Sequence, residues 1–545
     1  MANASTAPTL TWLGARPCSR ASRGRRWQRK EMPGMSESDQ DAVFALLADP
    51  ATHGGNAVKR VDTHAAAVFL GGERALKVKR AVRFPFLDYS TLAKRKEACE
   101  AELRINRSFA PDIYRRVLAI TREDGGKLTL GGAGAVVEWA LEMRRFDENA
   151  TLDRLAQTGK IDAALADALG RAVAALHAGA KPVEAEPWIA ALADYIEQND
   201  AAFRDMAELF PAAEAETLAR RSRAAHCRSR ALLRERGQRG LIRHLHGDLH
   251  LGNIVLLGGR PVPFDAIEFS PLIASGDVLY DLGFLLMDLV ERGLKPAANR
   301  VLNRYLAETK RAEDLDALAT LPLFLSLRAA IRAKVTAARI EHAAPDERAE
   351  IARSARAYFE FARRFIEPGL PRLIAVGGLS GTGKSALAQA LAGELGPDPG
   401  AVVLRSDVER KALFSKDEHV RLPQDAYSPA VTARVYAVIT DKARRALAAG
   451  HSAILDAVFA TPPERTAAAA SAEILGVPLH GLFLEADLDT RLARLSARGR
   501  DPSDADAAVA RMQQSYDLGA LDWTRIDASG TPDETLARAR KVVNP

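Results

Sequence analysis

Two apolar runs on either side of a glycine pair occur twice in the chain, and each predicts a β-hairpin. The first is AAVFLGGERALKVKRAV (66–82), broken at Gly71-Gly72, and STLAKRKEACEAELRINRSF (90–109) follows it with helical spacing. A strand pair and then a helix open a small α+β lobe. Residues 150–240 are rich in Ala, Leu and Arg at helical spacing with few turn signals, which predicts a helical lobe. The second hairpin is IVLLGGRPVPFDAIEF (254–269), turning at Gly258-Gly259. Upstream of both, MSESDQDAVFALLADP predicts a helix with Val43, Phe44, Leu46 and Leu47 apolar.

The pattern changes again past residue 340. EHAAPDERAEIARSARAYFEFARRFIEP is charged and helical and ends in Pro368-Gly369, with Pro371 beyond. RLIAVGGLSGTGKSALAQALAGEL (372–395) then reads as an apolar strand, a glycine-rich turn and an amphipathic helix, and AVVLRSD, SAILDAVF and HGLFLEAD read as further strands. These changes divide the chain into residues 1–35, a basic tail or over-extended start expected to be disordered; a domain over 36–345; a helical linker over 346–370; and a second domain over 371–545.

Composition narrows the class. A length of 545 residues exceeds one ordinary core, and 47% hydrophobic with 27% charged residues is ordinary for a soluble protein. The apolar run VLYDLGFLLMDLV (278–290) is shorter than the ~20 residues a bilayer span needs and carries Asp281 and Asp288. Three cysteines without metal or CxxC spacing argue against a disulfide framework or a zinc site, and a reducing cytoplasm is the expected location. The net charge of +6 is diffuse, except that the first thirty residues hold seven basic side chains and no acid.

The chemistry begins at HGDLHLGN (246–253). Folding the second hairpin back at its glycines sets Asn253 opposite Asp265, so that Asp248, Asn253 and Asp265 meet at one end. A base-competent carboxylate, a carboxamide and a second carboxylate suit a Mg²⁺ that carries nucleotide phosphates. HGDxxxxN followed by an aspartate after a short hairpin resembles the aminoglycoside phosphotransferase family, relatives of protein kinases. The resemblance covers roughly residues 36–345 and implies a bilobal, protein-kinase-like fold. It makes Asp248 the catalytic base, gives Asn253 and Asp265 to magnesium, and makes Lys77 of Ala75-Leu76-Lys77 the phosphate-binding lysine. Lys79 shares the strand face of Lys77 and stays open as an alternative. Glu102 is the implied ion-pair partner, ahead of Glu97 and Glu100. The absence of a GxGxxG loop before the lysine, and DAI where protein kinases have DFG, favour a small-molecule acceptor over a protein. His246 and His250 are expected to brace backbone, Asp277 to cap a helix and Asp281 to support the HGD loop.

GLSGTGKS (378–385) satisfies GxxxxGK[ST] between a strand and a helix, as an α/β P-loop fold with a parallel sheet requires. Gly378, Gly381, Thr382 and Gly383 supply the phosphate cradle, Lys384 reaches the β/γ-phosphates, and the Ser385 hydroxyl ligates Mg²⁺. Asp407 and Asp456 end two strands; Asp407 is the candidate for orienting the acceptor, Asp456 for the Walker B acid. SDVERK resembles the acceptor-side element of polynucleotide, gluconate and zeta-toxin-like kinases, which implies a substrate contact for Arg410. RLARLSARGRDPSDAD (491–506) resembles their lid, with Arg494, Arg498 or Arg500 facing the transferring phosphate, Arg498 chosen among them. The whole chain resembles bacterial fusions of an aminoglycoside phosphotransferase-like domain with a P-loop ATPase domain labelled AAA. The resulting expectation is an ATP- and Mg²⁺-dependent phosphotransferase with two nucleotide sites and small-molecule hydroxyl acceptors. The alternatives are a polynucleotide kinase in the P-loop module, or one module as a regulatory nucleotide sensor. Nucleic acid is a weak expectation, because the lid alone offers a basic groove and has no aromatic interleaving.

Overall fold

The computed structural model describes residues 37–84, 87–497, 499 and 501–543. The tail expected over 1–35 lies outside these residues. Two domains follow, of the two expected architectures.

The first domain opens on a six-stranded antiparallel sheet. Its spatial order is Val58–Asp62, Ala66–Gly71, Arg74–Lys79, Ala135–Arg144, Tyr114–Arg122 and Leu128–Leu130. The early hairpin forms as expected, but its turn is Gly72-Glu73, one residue past the expected break, with Gly71 paired opposite Arg74 in the strand. Helix Glu37–Ala48 covers one sheet face with Val43, Phe44 and Leu47, which pack with Phe69, Leu76, Val78 and Ala140. Helix Leu92–Phe109, capped by the Thr91 hydroxyl, packs against the two long strands. Its Arg95 is fully buried in an ion pair with Glu138 at 2.8 Å, so this sheet buries charge as well as apolar surface.

Seven long helices build the second lobe around an aromatic core that includes Trp188, Tyr280 and Phe324. Helix Val278–Glu291 is buried at every residue from Val278 to Val290, packed between helices Lys295–Thr309 and Leu321–Ala338 and the turn Leu251–Asn253. The segment expected as a linker is part of this lobe. Helix Pro345–Phe365 places Ile351, Ala355, Tyr358, Phe359, Ala362 and Phe365 in the core against helix Leu321–Ala338, and Ser326 donates to the Ala362 carbonyl at 2.7 Å. Its charged face hides a strong apolar stripe.

The second domain is a five-stranded parallel sheet in the order Val402–Arg405, Ala453–Asp456, Leu373–Gly378, Leu479–Glu485 and Thr524–Asp527. The domains are in contact. Asn303 accepts from the Val403 amide on the sheet's edge strand at 2.7 Å, and Asn299 and Asn303 both donate to the Ala401 carbonyl at 3.0 Å. Among the described residues, no helix is long and apolar enough to cross a membrane.

Candidate functional sites

The first site forms where the second hairpin meets the early one. Strands Ile254–Leu257 and Arg260–Pro263 pair antiparallel, and the Phe264 amide donates to the Asn253 carbonyl at 2.9 Å, which sets Asp265 beside Asn253. Asp265 adopts the left-handed conformation (φ 62°), uncommon for a non-glycine residue. Its amide donates to the Tyr114 hydroxyl at 3.0 Å, and the next amide donates to Asn106 at 2.7 Å. The Lys77 ammonium lies 2.7 Å from both Glu102 and Asp265. Lys77, Glu102 and Asp265, from a strand, a helix and a loop, therefore meet as expected, whereas Glu97 and Glu100 are exposed.

Asp248 sits at a turn that Gly247 enters at φ 80°. The Gly247 amide donates to Asp281 at 3.0 Å, and Arg328 donates to the Gly247 carbonyl at 3.1 Å. Asp281 thus supports the loop, and Asp277 caps its helix by accepting from Leu279. Asn253 donates its Nδ2 to Asp248 at 3.1 Å, which leaves its carboxamide oxygen for another ligand. His246 braces the Phe264 carbonyl at 2.9 Å. His250 accepts from the Gly252 amide through Nδ1, so its proton is on Nε2, 3.6 Å from Asp248.

Electrostatics favour ionised carboxylates here. Burial opposes the charge on Asp248, but His250, Arg332 and His246 outweigh it and hold the carboxyl below the usual range. Asp265 is likewise held low against burial by Lys77. Burial alone would lower the Lys77 ammonium, yet Asp265 and Glu102 hold it well above its ordinary value. Asp248 Oδ1 is buried and has no hydrogen-bond partner.

The second site forms at the C-terminal ends of the parallel strands. Gly378, Gly381 and Gly383 have φ of 137°, 87° and 93°, and a Cβ on Gly381 would stand 2.7 Å from the Arg491 carbonyl oxygen. Thr382 closes the turn by donating its hydroxyl to the Leu379 carbonyl at 2.8 Å. Lys384 and Ser385 open the following helix, with the Lys384 ammonium 3.1 Å from the Leu379 carbonyl. Burial lowers the Lys384 ammonium, and the nearby Asp456 and Asp407 oppose that shift. Burial pushes the Asp407 carboxyl up, with Asp456 adding to the rise and Arg405 opposing it. The loop, Asp407 and Asp456 are therefore together.

Of the expected arginines, Arg410 and Arg494 lie within the described residues. Arg410 is buried, donates to the Ala426 carbonyl at 2.7 Å and lies over the Tyr427 ring at 4.9 Å, while its Nε has no hydrogen-bond partner. Arg494 donates to the Gly530 carbonyl at 2.6 Å. Arg498 and Arg500 lie outside the described residues. Sequence reasoning missed Arg491, which is buried beneath the P-loop and donates to Ser380 O at 2.8 Å and Ala510 O at 3.1 Å. It also missed Arg405, which bridges Asp456 (3.3 Å) and Asp501 (3.2 Å). The acidic run DPSDAD was the available signal. Asp501 binds Arg405, and Asp504 binds Lys411 at 2.6 Å and the Leu422 amide at 2.9 Å, so acids fasten this segment to the site.

Residues 89–319 match the family model described as phosphotransferase enzyme family, and residues 373–518 match the model described as AAA domain. An uncharacterized protein of Mycobacterium tuberculosis is 28% identical over 498 residues, 88% of this chain and 94% of that protein. Similar solved structures include a choline/ethanolamine kinase family protein from Mesorhizobium loti, at 16% identity, 60% of this chain, 99% of that one and TM-score 0.33. Another is a gluconokinase from Sinorhizobium meliloti, at 20% identity, 32% of this chain, 96% of that one and TM-score 0.24. The chain therefore joins a region that matches a phosphotransferase family model to a P-loop region that matches an AAA domain model, and these matches support a kinase-type enzyme.

Proposed function

We propose that the chain transfers the γ-phosphoryl group of ATP to hydroxyl groups of small cytoplasmic molecules, with one nucleotide site in each domain. The observation that carries this reading is the meeting of Lys77, Glu102 and Asp265 beside the paired Asp248 and Asn253. In the first site Lys77 balances charge on the nucleotide phosphates, and Asp248 accepts the proton of the acceptor hydroxyl. The acceptor oxygen bonds to the γ-phosphorus as the bond to the β,γ-bridging oxygen breaks and ADP leaves. A depressed Asp248 keeps the base ionised at neutral pH, so its contribution is to orient the hydroxyl and to take its proton late.

The residues fit magnesium. The Asn253 oxygen is turned away from Asp248, Asp265 offers a carboxylate, and Mg²⁺ takes one or two such oxygens along with phosphates and water. Asn253 and Asp265 would hold it in the first site, Ser385 and Asp456 in the second. Bound there, it would neutralise phosphate charge. In the second site Lys384 meets the phosphates and the raised carboxyl of Asp407 is poised to take the acceptor proton.

One observation favours coupling between the modules, with one serving as a sensor for the other. Glu418 of the P-loop domain is held by Arg304 (2.8 Å) and Arg171 (3.2 Å) of the first domain, and nearby Arg421 binds Asp506 at 2.8 Å. Polynucleotide 5′-phosphorylation remains the alternative acceptor chemistry for the P-loop module. Calorimetric titration with Mg-ATP tests the two-site reading: two equivalents per chain are expected, falling to one in Lys384→Ala or in Lys77→Met. A single equivalent in the unmodified protein would refute it.

A further inference from the structure

Two lysines, rather than one, meet the buried carboxylate of Glu102. Side chains alternate along strand Arg74–Lys79, so Lys77 and Lys79 emerge on the same face. Lys77 donates to Oε1 of Glu102 at 2.7 Å, and the Lys79 ammonium makes an ion pair with Oε2 at 2.5 Å. Their other partners differ. Lys77 reaches Asp265, whereas Lys79 reaches Glu268, which also accepts from the Tyr89 hydroxyl at 2.8 Å. The Lys79 ammonium stands 5.2 Å from the centre of the Tyr89 ring. Only 4% of the Lys79 side chain is accessible against 15% of Lys77, so Lys77 is the more open to a ligand.

Each partner comes from a different part of the domain. Lys79 belongs to the strand, Glu102 to helix Leu92–Phe109, Tyr89 to the segment before that helix, and Glu268 stands three residues past Asp265. Phosphates arriving at Lys77 draw its charge away from Glu102. A buried carboxylate left without a counterion is strongly destabilising, so a Glu102 held by Lys77 alone would tend to shift its helix. Lys79 removes that conflict by supplying a second counterion that the phosphates do not reach.

We propose that Lys79 is a positioning residue of the kinase site: with Glu268 and Tyr89 it keeps Glu102, its helix and the segment following Asp265 in place while Lys77 engages phosphate. This rests on the kinase reading of the first site.

Hydrogen–deuterium exchange on the full chain tests the placement independently of activity. Lys79→Met should speed exchange along 92–109 and 265–269, while Lys77→Met should leave the helix protected, since Lys79 still holds Glu102. Steady-state ATP turnover in a Lys384→Ala background then reads the first site alone. There Lys79→Met should lower kcat about 10- to 100-fold, as loss of an outer-shell partner does, with little change in KM for ATP. Lys79→Arg, whose guanidinium can span both carboxylates, should restore most of it. If Lys79→Met fails to fold, Glu268→Gln carries the same expectations. A rise in KM matching that of Lys77→Met would make Lys79 a phosphate ligand, and unchanged exchange with unchanged kcat would leave it only a packing role; either result overturns the proposal. Should the first site bind no Mg-ATP, the kinase reading fails, and the exchange pattern alone still decides whether Lys79 holds Glu102.

Discussion

Lys334 lies within helix Leu321–Ala338, the helix that also carries Arg328 to the HGD loop, and its ammonium is buried without a hydrogen-bond partner. Burial lowers it from 10.5 to about 8. At 1.36 kcal/mol per pKa unit, the folded protein gives up about 3 kcal/mol below pH 8 relative to a group that costs nothing to bury. Lys334→Met keeps the chain length and removes the charge, so it should stabilise the first domain by up to about 3 kcal/mol at pH 7. That is roughly 6 °C in Tm for a domain of this size. The sign follows from linkage. Between pH 8 and 10.5 the unfolded chain holds a proton at Lys334 that the folded chain has lost, so the unmodified protein gains stability as pH rises and the variant does not. Calorimetric melting of both proteins at pH 7 and near pH 10 measures the difference, which should shrink toward zero at the higher pH. A variant less stable than the original at pH 7, or a difference independent of pH, would refute the reasoning and give Lys334 a favourable partner in the folded protein.

Asp281→Ala leaves the buried Gly247 amide without its acceptor and takes the carboxylate away from His177 and Arg328, and should cost about 3–5 kcal/mol in chemical denaturation while disordering Asp248. In acid, Asp248, Asp281 and Asp288 act in one direction, because each carboxyl is held below its usual range. The stability they contribute is full above the unfolded value of about 3.9 and is lost as pH falls through their lower folded values, so unfolding free energy should decline below about pH 4 and decline less in Asp281→Asn. Arg491→Met leaves the Ser380 and Ala510 carbonyls without their donor and should weaken Mg-ATP binding at the P-loop by about 1–3 kcal/mol in calorimetry, with the first site unaffected.

Local patterns that carry their own chemistry were the legible part of this molecule. Glycine pairs marked both hairpins, and the HGD loop and P-loop stand where their flanking strands and helices place them. Glu102 is separable from Glu97 and Glu100 because it lies beside the Cys99/Leu103 apolar stripe of its helix, whereas the other two are exposed. The strands Tyr114–Arg122 and Ala135–Arg144 were not legible, since they interleave arginines and glutamates with apolar residues. Glu138 and Glu142 are buried and paired with arginines, which erases the apolar alternation that announces a strand. Helix Pro345–Phe365 looked like a linker for a related reason: the charge on its outer face concealed what its inner face packs against. The arginines of the P-loop domain illustrate a different limit. Basic residues near a phosphate site suggest phosphate contacts, but Arg410, Arg491 and Arg494 bind backbone carbonyls, and tertiary structure alone fixes such partners.

The central claim is that each domain holds its own phosphotransfer centre, and transfer from γ-labelled ATP to a pool of small metabolites tests it most directly. The full chain, Asp248→Asn, Lys384→Ala and the double variant should be compared product by product. Asp248→Asn should remove one set of labelled products while Mg-ATP still binds at the hairpin site. Lys384→Ala should remove a different set, and only the double variant should lose all acceptor-dependent ATP consumption. Loss of every labelled product in either single variant would contradict two independent centres and make one domain the nucleotide sensor of the other.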